Sequence, residues 1–103
     1  MENLTDYQNR PIRLTSERLA HILDHPEMLE LSSEIAIALK QPQIVRQSNS
    51  DIQVFLYYRY YEKTLVGAKW LCIVVKTLPD DAFIITAYLT DKIKQGVEIW
   101  HSL

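Results

Sequence analysis

Hydrophobic positions change their period partway along this chain. Leu19, Ile22 and Leu23, then Leu31, Ile35, Ala38 and Leu39, recur at three- and four-residue spacing, which predicts two short amphipathic helices. Thr15 or Ser16 can cap the first, and Glu17 suits its positive end. Pro26 holds His25 out of helical geometry and ends that helix by Asp24. Pro26 then opens the second helix, with Glu27 and Glu30 in its first turn, and Pro42 stops it. From Ile44 onward the period is two. Residues 44–46, 53–65, 69–78 and 82–90 are rich in β-branched and aromatic side chains, separated by turn signals at Asn49-Ser50-Asp51, Gly67 and Pro79-Asp80-Asp81. Arg10 to Leu14 alternates beside a proline and suits an edge strand or an extended lead-in. The expected fold is therefore α+β: an N-terminal helix pair packed on one face of a three- to four-stranded antiparallel β-meander, in a single domain over residues 1–103. Residues 1–9 and 101–103 are expected to be flexible.

Alternation also divides each strand into two faces. Val54, Leu56, Tyr58 and Tyr60, with Leu71, Ile73 and Val75 and with Phe83, Ile85, Ala87 and Leu89, are expected to cover the helices. Phe55, Tyr57, Arg59, Tyr61 and Lys63, with Trp70, Cys72, Val74 and Lys76 and with Ile84, Thr86, Tyr88 and Thr90, then form an open cationic and aromatic surface. Cations, hydroxyls and aromatic faces are the groups that single-stranded RNA recognition uses. Polar outer faces also simply keep sheets in solution, so the pattern alone leaves both readings open.

Charge sharpens the picture. The net charge is −2, which argues against a general nucleic-acid coat protein. Residues 1–43 carry −3 and residues 44–103 carry +1, so any anion site is expected in the second half. Cys72 is the single cysteine and excludes an intramolecular disulfide. The dispersed His21, His25 and His101, without acidic residues at ligand spacing, predict no metal site, and no cofactor motif is present. His21 reads as a packed or boundary histidine, His25 as a helix cap, and His101 as part of a frayed end. The polar start and the lack of a long apolar run predict a cytoplasmic protein without a membrane segment, as monomer or homodimer.

The segments Arg13-Leu14-Thr15, His21-Ile22-Leu23-Asp24-His25-Pro26-Glu27, Tyr57-Tyr58-Arg59-Tyr60, Lys69-Trp70-Leu71, Val74-Val75-Lys76 and Thr86 to Lys94 carry a resemblance. Over Arg10 to Gly96 the chain resembles small bacterial and phage-associated proteins, common in cyanobacteria, of the barnase–EndoU–colicin–RelE-like nuclease superfamily. That resemblance implies a metal-independent, toxin-like endoribonuclease site on an open sheet face, needing no cofactor. It implies Arg59, Lys76 and Tyr88 as site positions: Lys76 and Arg59 on the scissile phosphate, and Tyr88 with Thr86 on the ribose 2′-hydroxyl. His21 or His25 would supply the acid, and Arg46, Tyr57, Tyr61, Lys63 and Lys92 would contact RNA. RNA is the expected partner, with an antitoxin-like protein as a second. The alternative is a non-catalytic RNA- or protein-binding module, or a dimerisation domain, using the same face.

Overall fold

In the computed structural model, which describes residues 2–102, the strands dominate. The elements run β1 (Glu2–Thr5), β2 (Pro11–Leu14), α1 (Ser16–Leu23), a 3-10 helix (Pro26–Leu31), α2 (Glu34–Lys40), β3 (Ile44–Ser48), β4 (Val54–Tyr61), β5 (Lys69–Leu78), β6 (Asp81–Thr90) and β7 (Gly96–His101). Among the described residues seven strands form one sheet in the order β1-β2-β6-β5-β4-β3-β7. All neighbours are antiparallel except β2 and β6, which run parallel and meet at Arg13 and Phe83. This corrects the expected helix pair on a three- to four-stranded meander. A mixed seven-stranded sheet carries three short helical pieces instead.

The differences have local causes. Glu2–Thr5 pairs with Pro11–Leu14 as a hairpin, so the first nine residues contribute a strand, and the Arg10–Leu14 region lies inside the sheet. Asp6 closes that hairpin from within. Its Oδ1 accepts the backbone N–H of Gln8 and of Arg10, both at 2.9 Å, and Asn9 takes the left-handed conformation (φ 63°) the turn requires. The second helix divides: Pro26–Leu31 winds as a 3-10 helix, and α2 starts afresh at Glu34. His25 stands at the cap position of the 3-10 helix but makes no side-chain capping bond, unlike the expectation from sequence. Thr15 caps α1 as expected, accepting the Arg18 N–H at 3.2 Å. At the far edge, Gly96 is forced by proximity: a Cβ there would stand 2.4 Å from the Gln47 carbonyl oxygen.

The helical pieces bury Ile22, Met28, Leu31, Ile35 and Leu39 against Ile12, Val45, Tyr57, Leu71, Ile73, Val75 and Ile84 on one sheet face. Here β4 is turned over relative to expectation. Phe55, Tyr57 and Tyr61 pack toward the helices, and Leu56 and Tyr58 look out on the second face. Between β5 and β6 a register shift at Val74 and Val75 pairs Val74 with Thr86 and Val75 with Ile84, leaving Ile85 of β6 unpaired. That bulge moves Ala82 and Ile84 onto the helix side together with Ala87.

The second face is covered as well. Since β6 is third in the sheet and β7 seventh, the five residues 91–95 must cross β5, β4 and β3. This strap packs Ile93 beside Tyr58, Cys72 and Tyr88. The Lys94 N–H donates to the Tyr58 hydroxyl at 3.0 Å, and the Lys94 carbonyl accepts from Arg46 at 2.9 Å. No helix among the described residues is long and apolar enough to cross a membrane.

Candidate functional site

The sheet separates the residues that the sequence pattern groups together. Arg59 lies opposite Leu71, a core residue of the helix side, and donates to the Gln41 carbonyl at 2.7 Å. Tyr57 is fully buried on that side, Tyr61 donates to Glu34 at 2.8 Å, and Lys63 is exposed beyond the end of β4. His21 and His25 are exposed, on and just after α1. Lys76, Thr86, Tyr88 and Arg46 occupy the second face, and Lys92 is exposed on the strap. Arg59 therefore does not join Lys76 and Tyr88.

Nor do those two meet. Tyr88 is opposite Cys72, four residues from Lys76 along β5, which is about 13 Å of extended strand. The Lys76 ammonium is held by Asp51 at 2.7 Å, and that bond keeps the Asp51 carboxyl below its ordinary range. The Tyr88 hydroxyl is buried without a hydrogen-bond partner. Burial, then the adjoining Cys72, pushes the Tyr88 phenol well above its ordinary pKa, so it is poorly suited to act as a base.

Tyr58, Cys72 and Tyr88 form one cross-strand row beneath the strap. Burial raises the Cys72 thiol to about 11 and, with Cys72 adding to the effect, the Tyr58 phenol to about 12. Tyr57 and Tyr61 are likewise raised, by burial first and then by Asp6 and Glu34. A phenol with a raised folded pKa stabilises the fold fully below its unfolded value near 10, and the contribution is lost as pH climbs through the folded value. Thermal melts should therefore hold steady from neutral pH to about pH 10 and then fall steeply, with tyrosinate absorbance rising together with unfolding. Full tyrosinate absorbance in a still-folded protein would contradict these burial assignments.

One constellation on the second face is open and sets an imidazole against a carboxylate. Residues three apart on a regular strand face opposite ways, but β7 shifts register against β3 between Val45 and Arg46. Glu98 consequently pairs with Arg46 and His101 with Ile44, and both share the second face. The His101 Nδ1 lies 3.0 Å from a Glu98 carboxylate oxygen. A carboxylate only accepts, so the imidazole proton belongs on Nδ1, and Nε2 is left as an acceptor. The pair lines a pocket of about 370 Å³ with Trp70, Ile44, Gln43 and Ser102. Tyr60 stands edge-on to Trp70, ring centres 5.1 Å apart, and its N–H donates to the Gln43 side chain. Arg46 is one pleat repeat beyond Ile44, about 7 Å along β3, and its buried Nε has no partner.

The Glu98–His101 pair was not legible in the sequence. Glu-x-x-His is a helical spacing, and only the bulge makes it a pair on a strand. Among the described residues no three His, Cys, Asp or Glu side chains gather as a metal site. Compared with protein-family models, curated proteins and solved structures, the chain matches none of them.

Proposed function

We propose that this chain cleaves single-stranded RNA without a metal, at the pocket between Trp70 and the Glu98–His101 pair. The observation that carries the reading is the 3.0 Å contact that orients an exposed imidazole toward an aromatic-walled pocket. Trp70, backed by Tyr60, offers a face on which an unpaired base stacks. His101 Nε2 accepts the proton of the ribose 2′-hydroxyl, and the 2′-oxygen bonds to phosphorus. The bond to the 5′-oxygen breaks, that oxygen takes a proton from solvent, and a 2′,3′-cyclic phosphate remains. Arg46 is the nearest guanidinium on this face to balance charge building on the phosphate. The resemblance to metal-independent nucleases points to the same reaction, although this site differs from the Arg59, Lys76 and Tyr88 set.

Purified protein incubated with mixed single-stranded RNA in EDTA tests it. Fragments ending in 2′,3′-cyclic phosphate are expected, and intact RNA overturns the reading. RNA retained on the protein without cleavage, and released by Trp70→Ala, would instead favour a non-catalytic binding module.

A further inference from the structure

We propose that the open edge of β1 and the groove beside α2 bind an extended, acidic peptide segment of another protein as an added strand. β1 is the outermost strand on its side of the sheet. The Asp6 N–H bonds to the Arg10 carbonyl at 3.1 Å, so that opposed pair is a hydrogen-bonded one. Antiparallel pairs alternate, which assigns Leu4 and Ile12 to the bonded kind and leaves the Asn3 and Thr5 backbone groups facing outward. Both residues are exposed, and a partner strand can reach their N–H and C=O groups.

The space next to that edge has a chemical character of its own. A groove of about 520 Å³ runs between β1 and α2, floored by Leu4, Ala36 and Ile37 and ending at Lys40. Ile37 remains 39% exposed and Ala36 half-buried on a helix whose Ile35, Ala38 and Leu39 are buried. The Lys40 ammonium contacts the Asn9 side-chain oxygen, a neutral partner, so its charge stays uncompensated by that contact. By contrast, Arg10, Arg13, Lys69 and Lys76 each hold an aspartate. Ile37 and Lys40 are three apart on α2, neighbours at about 5–6 Å. Residues two apart on a strand share a face at about 7 Å. An apolar residue followed two positions later by a carboxylate therefore fits: the first on Ala36 and Ile37, the second on Lys40. The opposite edge, β7, also carries exposed apolar residues, Val97 and Ile99.

The test uses a fluorescein-labelled decapeptide that alternates threonine with valine and glutamate, and a control peptide with lysine for glutamate. Saturable binding of the acidic peptide is expected, weakened about tenfold or more by Lys40→Glu and by methylating alternate peptide amides. In amide exchange, Asn3 and Thr5 should gain protection. Lys40 is exposed, and circular dichroism checks that the variant remains folded. Equal binding of both peptides, or unchanged binding by Lys40→Glu, overturns the proposal. So does a dimer by sedimentation in which the peptide cannot enter because a second copy holds the β1 edge. The measurement is independent of RNA cleavage and should be the same in His101→Ala protein.

Discussion

Replacing His101 with alanine should lower the RNA cleavage rate by about 10²–10⁴-fold, the range a positioned general base supplies. The side chain is 52% exposed, so its removal leaves no core cavity, and the variant should melt close to the parent. Glu98→Gln separates orientation from chemistry. Glu98 touches the imidazole and lines the same pocket, and its expected role is to hold the proton on Nδ1. The amide can still contact the ring but no longer fixes the proton on Nδ1, so the rate should fall, though less than in His101→Ala. Lys76→Ala is a useful contrast. Lys76 is six residues from Trp70 along β5, about 20 Å, and should leave the rate within about threefold. If His101→Ala cleaves as fast as the parent, the assigned base is wrong. If Lys76→Ala abolishes cleavage while His101→Ala does not, the site lies near Lys76 instead.

Asp6→Ala should be the most destabilising polar substitution, at about 2–4 kcal/mol. The residue has no exposed surface, and its carboxylate accepts four hydrogen bonds. Two come from the backbone of its own hairpin, one from Arg10 Nε at 3.2 Å, and one from the buried Tyr57 hydroxyl at 2.7 Å. Removing the acceptor leaves a buried phenol with only the Arg10 guanidinium, at 3.3 Å, and two hairpin N–H groups without a partner. It also releases Tyr7, which rests on Tyr57 and, at 4.9 Å between rings, on Trp100 of β7. Tyr57→Phe removes one bond and retains the ring, so about 1–2 kcal/mol is expected. Urea unfolding of both variants checks the order. An Asp6→Ala variant within about 0.5 kcal/mol of the parent would show that the clasp contributes little to holding β1–β2 over the sheet.

Much of the secondary structure follows from local pattern. The ends of α1, the turn at Pro79 to Asp81, the long β4, β5 and β6 strands and their antiparallel pairing all have local signals, namely caps, prolines and a period of two. The two outer strands have weaker ones. Glu2–Thr5 is polar and short, and becomes a strand because Asp6 organises its turn and β2 offers a partner. Gly96–His101 has no helix or second sheet to bury it, and its place beside β3 depends on the strap finding Tyr58 and Arg46.

The faces were decided by tertiary structure. β5 alternates as expected because Leu71, Ile73 and Val75 outweigh the other row in apolar character. In β4 both rows are aromatic or aliphatic, and alternation alone cannot choose between them. Polar atoms settle it: the Tyr57 hydroxyl reaches Asp6, the Tyr61 hydroxyl reaches Glu34, and Arg59 reaches a helix-terminal carbonyl, all on the helix side. Each of those partners is at least 18 residues distant in sequence, and Asp6 is 51 distant. The cationic and aromatic surface expected on the second face is not assembled as expected: Phe55, Tyr57, Arg59 and Tyr61 lie on the helix side and the strap packs over Tyr58, Cys72 and Tyr88, while Trp70, Arg46, Glu98 and His101 share the second face. Local pattern, read by itself, determined where most of the chain is helical or extended. Which side chains share a face was left to distant polar partners in β4, to two bulges and to one crossing strap, because a single inserted residue reverses the direction of every side chain that follows it.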